Sequence, residues 1–225
     1  MVLFPAVTQL DLTGPYEVFC RMPNTTVHLL AATTEPVRTE FGLTIAPHFR
    51  FDQAPLLDIV CVPGGWGVNA QFENAVLIEF LQAQSARARY MTSVCSGALI
   101  LGAAGLLDGY RATTHWMSLD MLPLVGAVPV HERVVVDRDR ITGGGVTAGI
   151  DLALVIAAEL FGEAKAQSIQ LAIEYNPAPP FQSGSPHTAP DEVRLGVLSA
   201  SQTGLSERRT ILERRAARLP RQAGQ

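Results

Sequence analysis

The stretch Tyr90-Met91-Thr92-Ser93-Val94-Cys95-Ser96-Gly97, followed by the apolar run from Ala98 to Gly102, decides how the chain is read. A half-apolar extended segment runs into a cysteine, and the residues from Ser96 to Ala104 suit a helix. This is a strand, a sharp turn and a helix start. A nucleophile at such a turn is thrust out at the carboxyl edge of a sheet, with the next backbone N–H groups aimed at whatever it attacks. The positive end of the helix dipole also favours thiolate over thiol. Cys95 is therefore expected to be a reactive nucleophile, although free cysteine often serves as a small buried hydrophobe. Cys61, inside the apolar strand Asp58 to Val62, and Cys20, at the end of an amphipathic helix, read as core or near-core thiols.

On either side of this stretch, strands alternate with helices. Before it come a short strand at Val2 to Phe4, a loop at Leu10 entering a helix with Asp11 or Thr13 as cap and Pro15 in the first turn, and a strand at Val27 to Ala31. Thr33 to Phe51 reads as an excursion hairpin around Gly42. A buried strand at Asp58 to Val62 ends in Pro63-Gly64-Gly65, and Asn74 caps a helix running to Ala86. After the cysteine helix come a short strand at Arg111 to Thr113 and a helix from His115 to Leu122 stopped by Pro123. A hairpin of Glu132 to Val136 with Ile141-Thr142 follows, then helices at Gly149 to Phe161 and Ala164 to Glu174. The pattern predicts an α/β sandwich, a mostly parallel sheet with helices on both faces, whose ligands collect at the carboxyl edge where Cys95 points.

The 225 residues are expected to form a single domain, with a proline-rich loop at 176–190 and a C-terminal helical segment at 191–219. A composition 48% hydrophobic and 17% charged supports a large core, and a net charge of −4 offers no broad basic surface for nucleic acid. Three cysteines without paired spacing make no disulfide framework, which fits a reducing cytoplasm. No secretory leader and no apolar stretch long enough to span a membrane is legible. The run Arg208, Arg209, Arg214, Arg215 and Arg218 reads as a solvated face of the last helix.

Pro63-Gly64-Gly65 and the Cys95 turn are expected side by side, so that the N–H groups of Gly65 and Ser96 could form an anion hole. Asp11 follows the first strand, and the sequence leaves two roles open to it: capping the next helix, or carrying a proton for the thiol with a pKa raised in a dry site. Glu17 is a second candidate for that acid. His115 either partners the cysteine as a base or, the plainer reading, serves structurally at a helix start. Gly143-Gly144-Gly145 lacks the residues of a phosphate loop and suits close packing. The histidines show no metal-ligand spacing, so no metal is expected.

On these residues the chain resembles the PfpI/ThiJ superfamily, related to class I glutamine amidotransferases. Within it the chain is most similar to the bacterial isonitrile (isocyanide) hydratases. The similarity covers nearly the whole chain and rests on Leu10 to Pro15, Pro63-Gly64-Gly65, Thr92 to Gly97, Ala112 to Trp116, Thr142 to Gly145, Thr147 to Asp151, and the tail Glu174 to Phe181 with Gly184-Ser185-Pro186. The resemblance implies a flavodoxin-like three-layer sandwich with a cysteine elbow, and hydration of R–N≡C to an N-substituted formamide without metal or organic cofactor. It implies Cys95 as nucleophile, Asp11 as essential acid, Ser96 where these enzymes usually have threonine, and a homodimer. Two rivals stand beside it. The superfamily's peptidases have histidine directly after the nucleophile, where this chain has Ser96. A sensing domain like those of AraC-type regulators would need more than the 35 residues after the proline-rich loop to form its DNA-binding module.

Overall fold

A computed structural model describes residues 1–218. The central sheet is built from β5 (Ile59–Val62), β6 (Tyr90–Val94), β10 (Arg140–Gly143) and β9 (Val134–Asp137), in that spatial order. β5, β6 and β10 run parallel, and β9 closes the edge as an antiparallel hairpin on β10. The sheet extends on the other side through the amino-terminal residues. The Val2 N–H donates to the Cys61 carbonyl at 3.0 Å, and the Leu3 N–H to the carbonyl of Leu30 at 2.7 Å. Leu30 belongs to β1 (Leu30–Ala31), which pairs in parallel with β4 (Phe49–Arg50). The expected strand at Val2 to Phe4 is thus a single bridge wedged between β1 and β5.

The alternation predicts what is observed because the strands are apolar on both faces. Val60, Cys61, Val62, Met91 and Val94 are all essentially inaccessible, which requires helices on both sides. One layer contains α1 (Gln9–Phe19), α5 (Ala148–Phe161) and α6 (Glu163–Ala172); the other contains α2 (Val68–Gln71), α3 (Ala75–Ser85) and α4 (Gly97–Ala103). α1 crosses α5 closely at Gly149, where a β-carbon would lie 2.9 Å from Pro15 Cδ. Asn74 caps α3 as expected, accepting the Leu77 N–H at 3.4 Å. The excursion hairpin is present as β2 (Val37–Arg38) against β3 (Thr44–Ile45), although β4, which follows it, joins the sheet.

Several expectations are corrected. α1 starts two residues before Asp11, so neither Asp11 nor Thr13 caps it, and Pro15 lies inside the helix rather than in its first turn. Cys20, beyond the last residue of α1, is exposed, whereas Cys61 is buried. His115 to Leu122 is not an α-helix: a run of 3-10 turns extends from Trp116 to Val125, passes through Pro123 and stops at Gly126 with φ +79°. Between them β7 (Arg111–Ala112) and the unexpected β8 (Val128–Pro129) form a small parallel pair. The segment from Asn176 to Pro190 has turns but no helix or strand. α7 (Asp191–Arg218) then runs back over the molecule, its C-terminal half against the 3-10 segment and α2; Leu219, the last residue of the expected helical segment, lies outside the described residues. No described helix is long and apolar enough to cross a membrane.

Candidate active site

Cys95 follows the last residue of β6 and takes φ +55°, a left-handed conformation that a cysteine adopts only when the surroundings hold it there. The surroundings do so from both sides. The Cys95 N–H donates to the carbonyls of Gly143 and Gly144, at 3.1 and 2.8 Å, and its carbonyl accepts the Thr114 hydroxyl at 2.7 Å. Gly97 is required for the turn to seat on the neighbouring strand, since a β-carbon there would lie 2.1 Å from the Val62 carbonyl oxygen. The elbow predicted from sequence is therefore present.

The turn after β5 brings Asp11 to the thiol. Asp11 is completely buried, and its Oδ2 accepts the Gly64 N–H at 2.8 Å. Oδ1 has no protein partner among the described residues, and the carboxyl faces the Cys95 thiol. Burial raises the Asp11 pKa to about 7, partly offset by the Gly64 N–H and by the thiol. Burial also pushes the Cys95 thiol well up, and a charged Asp11 adds to this, while the Ser96 N–H and Arg208 pull the other way. Burial thus works against the helix start, because desolvation of a thiolate opposes the pull of the backbone dipoles.

The Pro63-Gly64-Gly65 turn does a different job from the expected one. The Gly65 N–H is engaged by Ser96 Oγ at 3.1 Å, and the Ser96 hydroxyl donates to the Gly65 carbonyl at 3.3 Å. Gly65 therefore offers no free donor for an anion hole; the turn locks Ser96 and Asp11 in place. The Ser96 N–H faces the Cys95 sulfur. A β-carbon at Gly64 would lie 2.6 Å from Ser96 N and 2.9 Å from Asp11 Oδ2, so glycine is what lets the two turns touch.

The remaining candidates separate. Glu17 is exposed and pairs with Arg21, away from the pocket. Glu40 lines the pocket instead, accepting the Thr8 hydroxyl at 2.7 Å. His115 lines the pocket but serves structurally, its Nδ1 accepting the Met117 N–H at 3.3 Å at the start of the 3-10 run. That bond leaves the proton on Nε2. Burial, aided by Arg208, lowers its pKa to about 4, so it is a neutral donor rather than a base. Among the described residues no group of three or more His, Cys, Asp or Glu could hold a metal ion.

A pocket of about 130 Å³ opens over Cys95 and Ser96, walled by Glu40, Trp66, His115, Met117, Val146 and Arg208. Sequence reasoning missed Glu40, Trp66 and Arg208. Arg208 had a signal: Gly204, Arg208 and Leu212 are spaced by one helical turn, and they pack inward while neighbouring arginines pair on the surface. The solvated-face reading holds for Arg209, Arg214 and Arg218, which meet Asp120 and Glu73, and fails for Arg208 and for half-buried Arg215, which donates to the Ala103 carbonyl.

A cysteine at a strained elbow beside a buried carboxyl, on this sheet, defines the class: the chain belongs to the DJ-1/PfpI family, which matches residues 1–159. Among individual proteins, it is 52% identical over 218 residues to an isonitrile hydratase of Pseudomonas putida, covering 97% of this chain and 96% of that one. The crystal structure of a ThiJ/PfpI family protein from Pseudomonas syringae matches with a TM-score of 0.92 at 42% identity, covering 94% of this chain and 88% of that one. An HTH-type transcriptional regulator of Pseudomonas aeruginosa is 35% identical over 148 residues, which is 65% of this chain but 39% of the regulator.

Proposed function

We propose that this protein hydrates isonitriles to N-substituted formamides through a covalent thioimidate on Cys95, with Asp11 moving the protons. The observation that carries this reading is Cys95 in the lining of a small pocket with Asp11 buried behind it, in a chain that aligns nearly end to end with an isonitrile hydratase. The reactive form is the pair holding one proton. Asp11 takes the thiol proton as the sulfur attacks the terminal carbon of R–N≡C, and returns it to that carbon, giving R–N=CH–S–Cys95. Asp11, now a carboxylate, takes a proton from water as the hydroxyl adds to the same carbon, and passes it to nitrogen. The C–S bond of the tetrahedral adduct then breaks, the hydroxyl proton passes to sulfur, and R–NH–CHO leaves. One water is consumed and the thiol is regenerated.

Within this scheme Ser96 supplies its N–H to the sulfur, its hydroxyl bracing the Gly65 turn, and His115 offers an Nε2–H donor at the wall. Incubation with cyclohexyl isocyanide, followed by proton NMR, should show the formyl resonance of the N-substituted formamide growing with enzyme concentration; no formamide above the buffer blank overturns the reading.

A homodimer is part of the same proposal. Val193, Leu195 and Val197 on the N-terminal half of α7 are exposed, as are Leu171 and Phe181, giving apolar surface for a second copy to cover. A single-chain mass in sedimentation at micromolar concentration would contradict it. Three unpaired cysteines suit work in a reducing cytoplasm; oxidation of Cys95 in the protein isolated under reducing conditions would count against that.

A further inference from the structure

Arg208 is 4% exposed, and all three of its hydrogen bonds go to neutral acceptors. Nε donates to Asn69 Oδ1 at 2.9 Å, one terminal nitrogen to Ser118 Oγ at 2.8 Å, and the other to the Gly65 carbonyl at 3.3 Å. The guanidinium also lies 5.2 Å from the centroid of the Trp66 ring. A buried cation with no carboxylate in contact is costly, and a fold retains one where a compensating negative charge is needed nearby. The charged or titratable groups that face it are Cys95 at the elbow, Glu40 after β2, His115 at the 3-10 segment and Glu207 on its own helix, with Asp11 from α1 behind the thiol. Of these, Glu207 is drawn outward to Asn69, whose side-chain amide donates to it at 3.0 Å. Glu40, engaged by the Thr8 hydroxyl, and Cys95, backed by Asp11, are the acidic groups that share the pocket with the guanidinium.

We propose that Arg208 is a positioning residue whose charge holds the Cys95–Asp11 pair in its singly protonated, reactive form, which makes α7 a working part of the active site. The pair is neutral with two protons and carries one negative charge with one, and a fixed cation across a dry pocket favours the second state. α7 lies beyond residue 159, where the match to the family ends, whereas the alignment with the isonitrile hydratase covers 97% of the chain and so takes in this helix. The cation is therefore an addition to what the shared fold supplies. Asn69 and the close contact of Gly204 with Trp66, where a β-carbon would lie 2.5 Å from the ring, fix the helix so that the guanidinium reaches the Gly65 turn.

The kinetic arm of the test rests on the isonitrile reading; the alkylation arm does not. In Arg208→Gln, which can keep hydrogen bonds but not the charge, the rising limb of kcat/KM against pH should move up by about one pH unit, and kcat/KM at pH 6 should fall roughly tenfold. Alkylation of Cys95 by iodoacetamide at pH 6, read by peptide mapping so that exposed Cys20 is scored separately, should slow by a similar factor. Arg208→Lys keeps the charge and loses the planar fork, so it should leave the limb in place while raising KM. A purely structural Arg208 would lower the melting temperature of both variants without moving either limb or alkylation rate, and that result overturns the proposal. If Arg208→Gln does not fold, the lysine variant decides alone: a limb displaced upward despite the retained charge overturns it. If no isonitrile turns over in the wild type, the alkylation rates still test Arg208.

Discussion

Cys95 and Cys61 are both buried thiols, 6% and 1% exposed, on strands that lie side by side. Burial pushes both up, Cys61 to about 11. Cys61 sits inside β5 with ordinary strand geometry, near the Thr92 hydroxyl and the buried amino terminus, and borders a cavity of about 510 Å³ at the amino ends of the strands. Cys95 sits at the carboxyl end, under a pocket a quarter of that size, in a strained turn with a carboxyl, a backbone N–H and a guanidinium around its sulfur. Cavity volume and burial do not single out Cys95 here. The groups that can take its proton and balance its charge do.

The largest effect should come from exchanging each thiol for a methyl group. Cys95→Ala should keep the fold and lose turnover to below a few per cent of wild type, while Cys61→Ala should keep turnover and cost about 1 kcal/mol in urea unfolding from its small cavity. Comparable activity in the two variants would erase the distinction between the thiols.

Next in size is Asp11→Asn. Asn can still accept the Gly64 N–H but cannot pass a proton, so turnover should fall roughly 10²- to 10⁴-fold. Stability should move the other way. A carboxyl with an ordinary pKa of 3.8 that is raised to about 7 in the fold stabilises below pH 4, and that contribution is lost as pH rises through 7. At about 1.4 kcal/mol per pH unit this amounts to a few kcal/mol. Asp11→Asn should therefore melt above wild type at pH 8 and lose this pH dependence. A lower melting point at pH 8 with near-normal turnover would leave Asp11 a structural hydrogen-bond acceptor.

The smallest effect is in the wild type alone. Below pH 7 the pair carries two protons and the thiol lacks a base, so kcat/KM should rise with pH, reach half its plateau near pH 7, and then level off. A profile flat from pH 5 to 8 would mean that the proton leaves by another route.

The sequence by itself determined the alternation, the elbow and the family. Those signals are local: a β-prone run into Cys95, the glycines at 64, 65 and 97, and an asparagine where α3 needed a cap each act within a few residues. It could not remove Asp11 as a helix cap, because the start of α1 before it and the hold of Gly64, 53 residues away, on its carboxyl appear only in the folded chain. Nor could it weigh the helix start at Cys95 against burial, since the turn that favours thiolate is visible in sequence and the desolvation that opposes it is not. Glu17 and Glu40 were separable only by the path of the excursion that carries Glu40 back to Thr8. Arg208 shows the same limit most plainly. Arg209, Arg214 and Arg218 in the same run pair on the surface, and it is buried 143 residues away in sequence from the turn it touches, because long-range packing, which no local pattern encodes, selects one face of α7 to close the pocket.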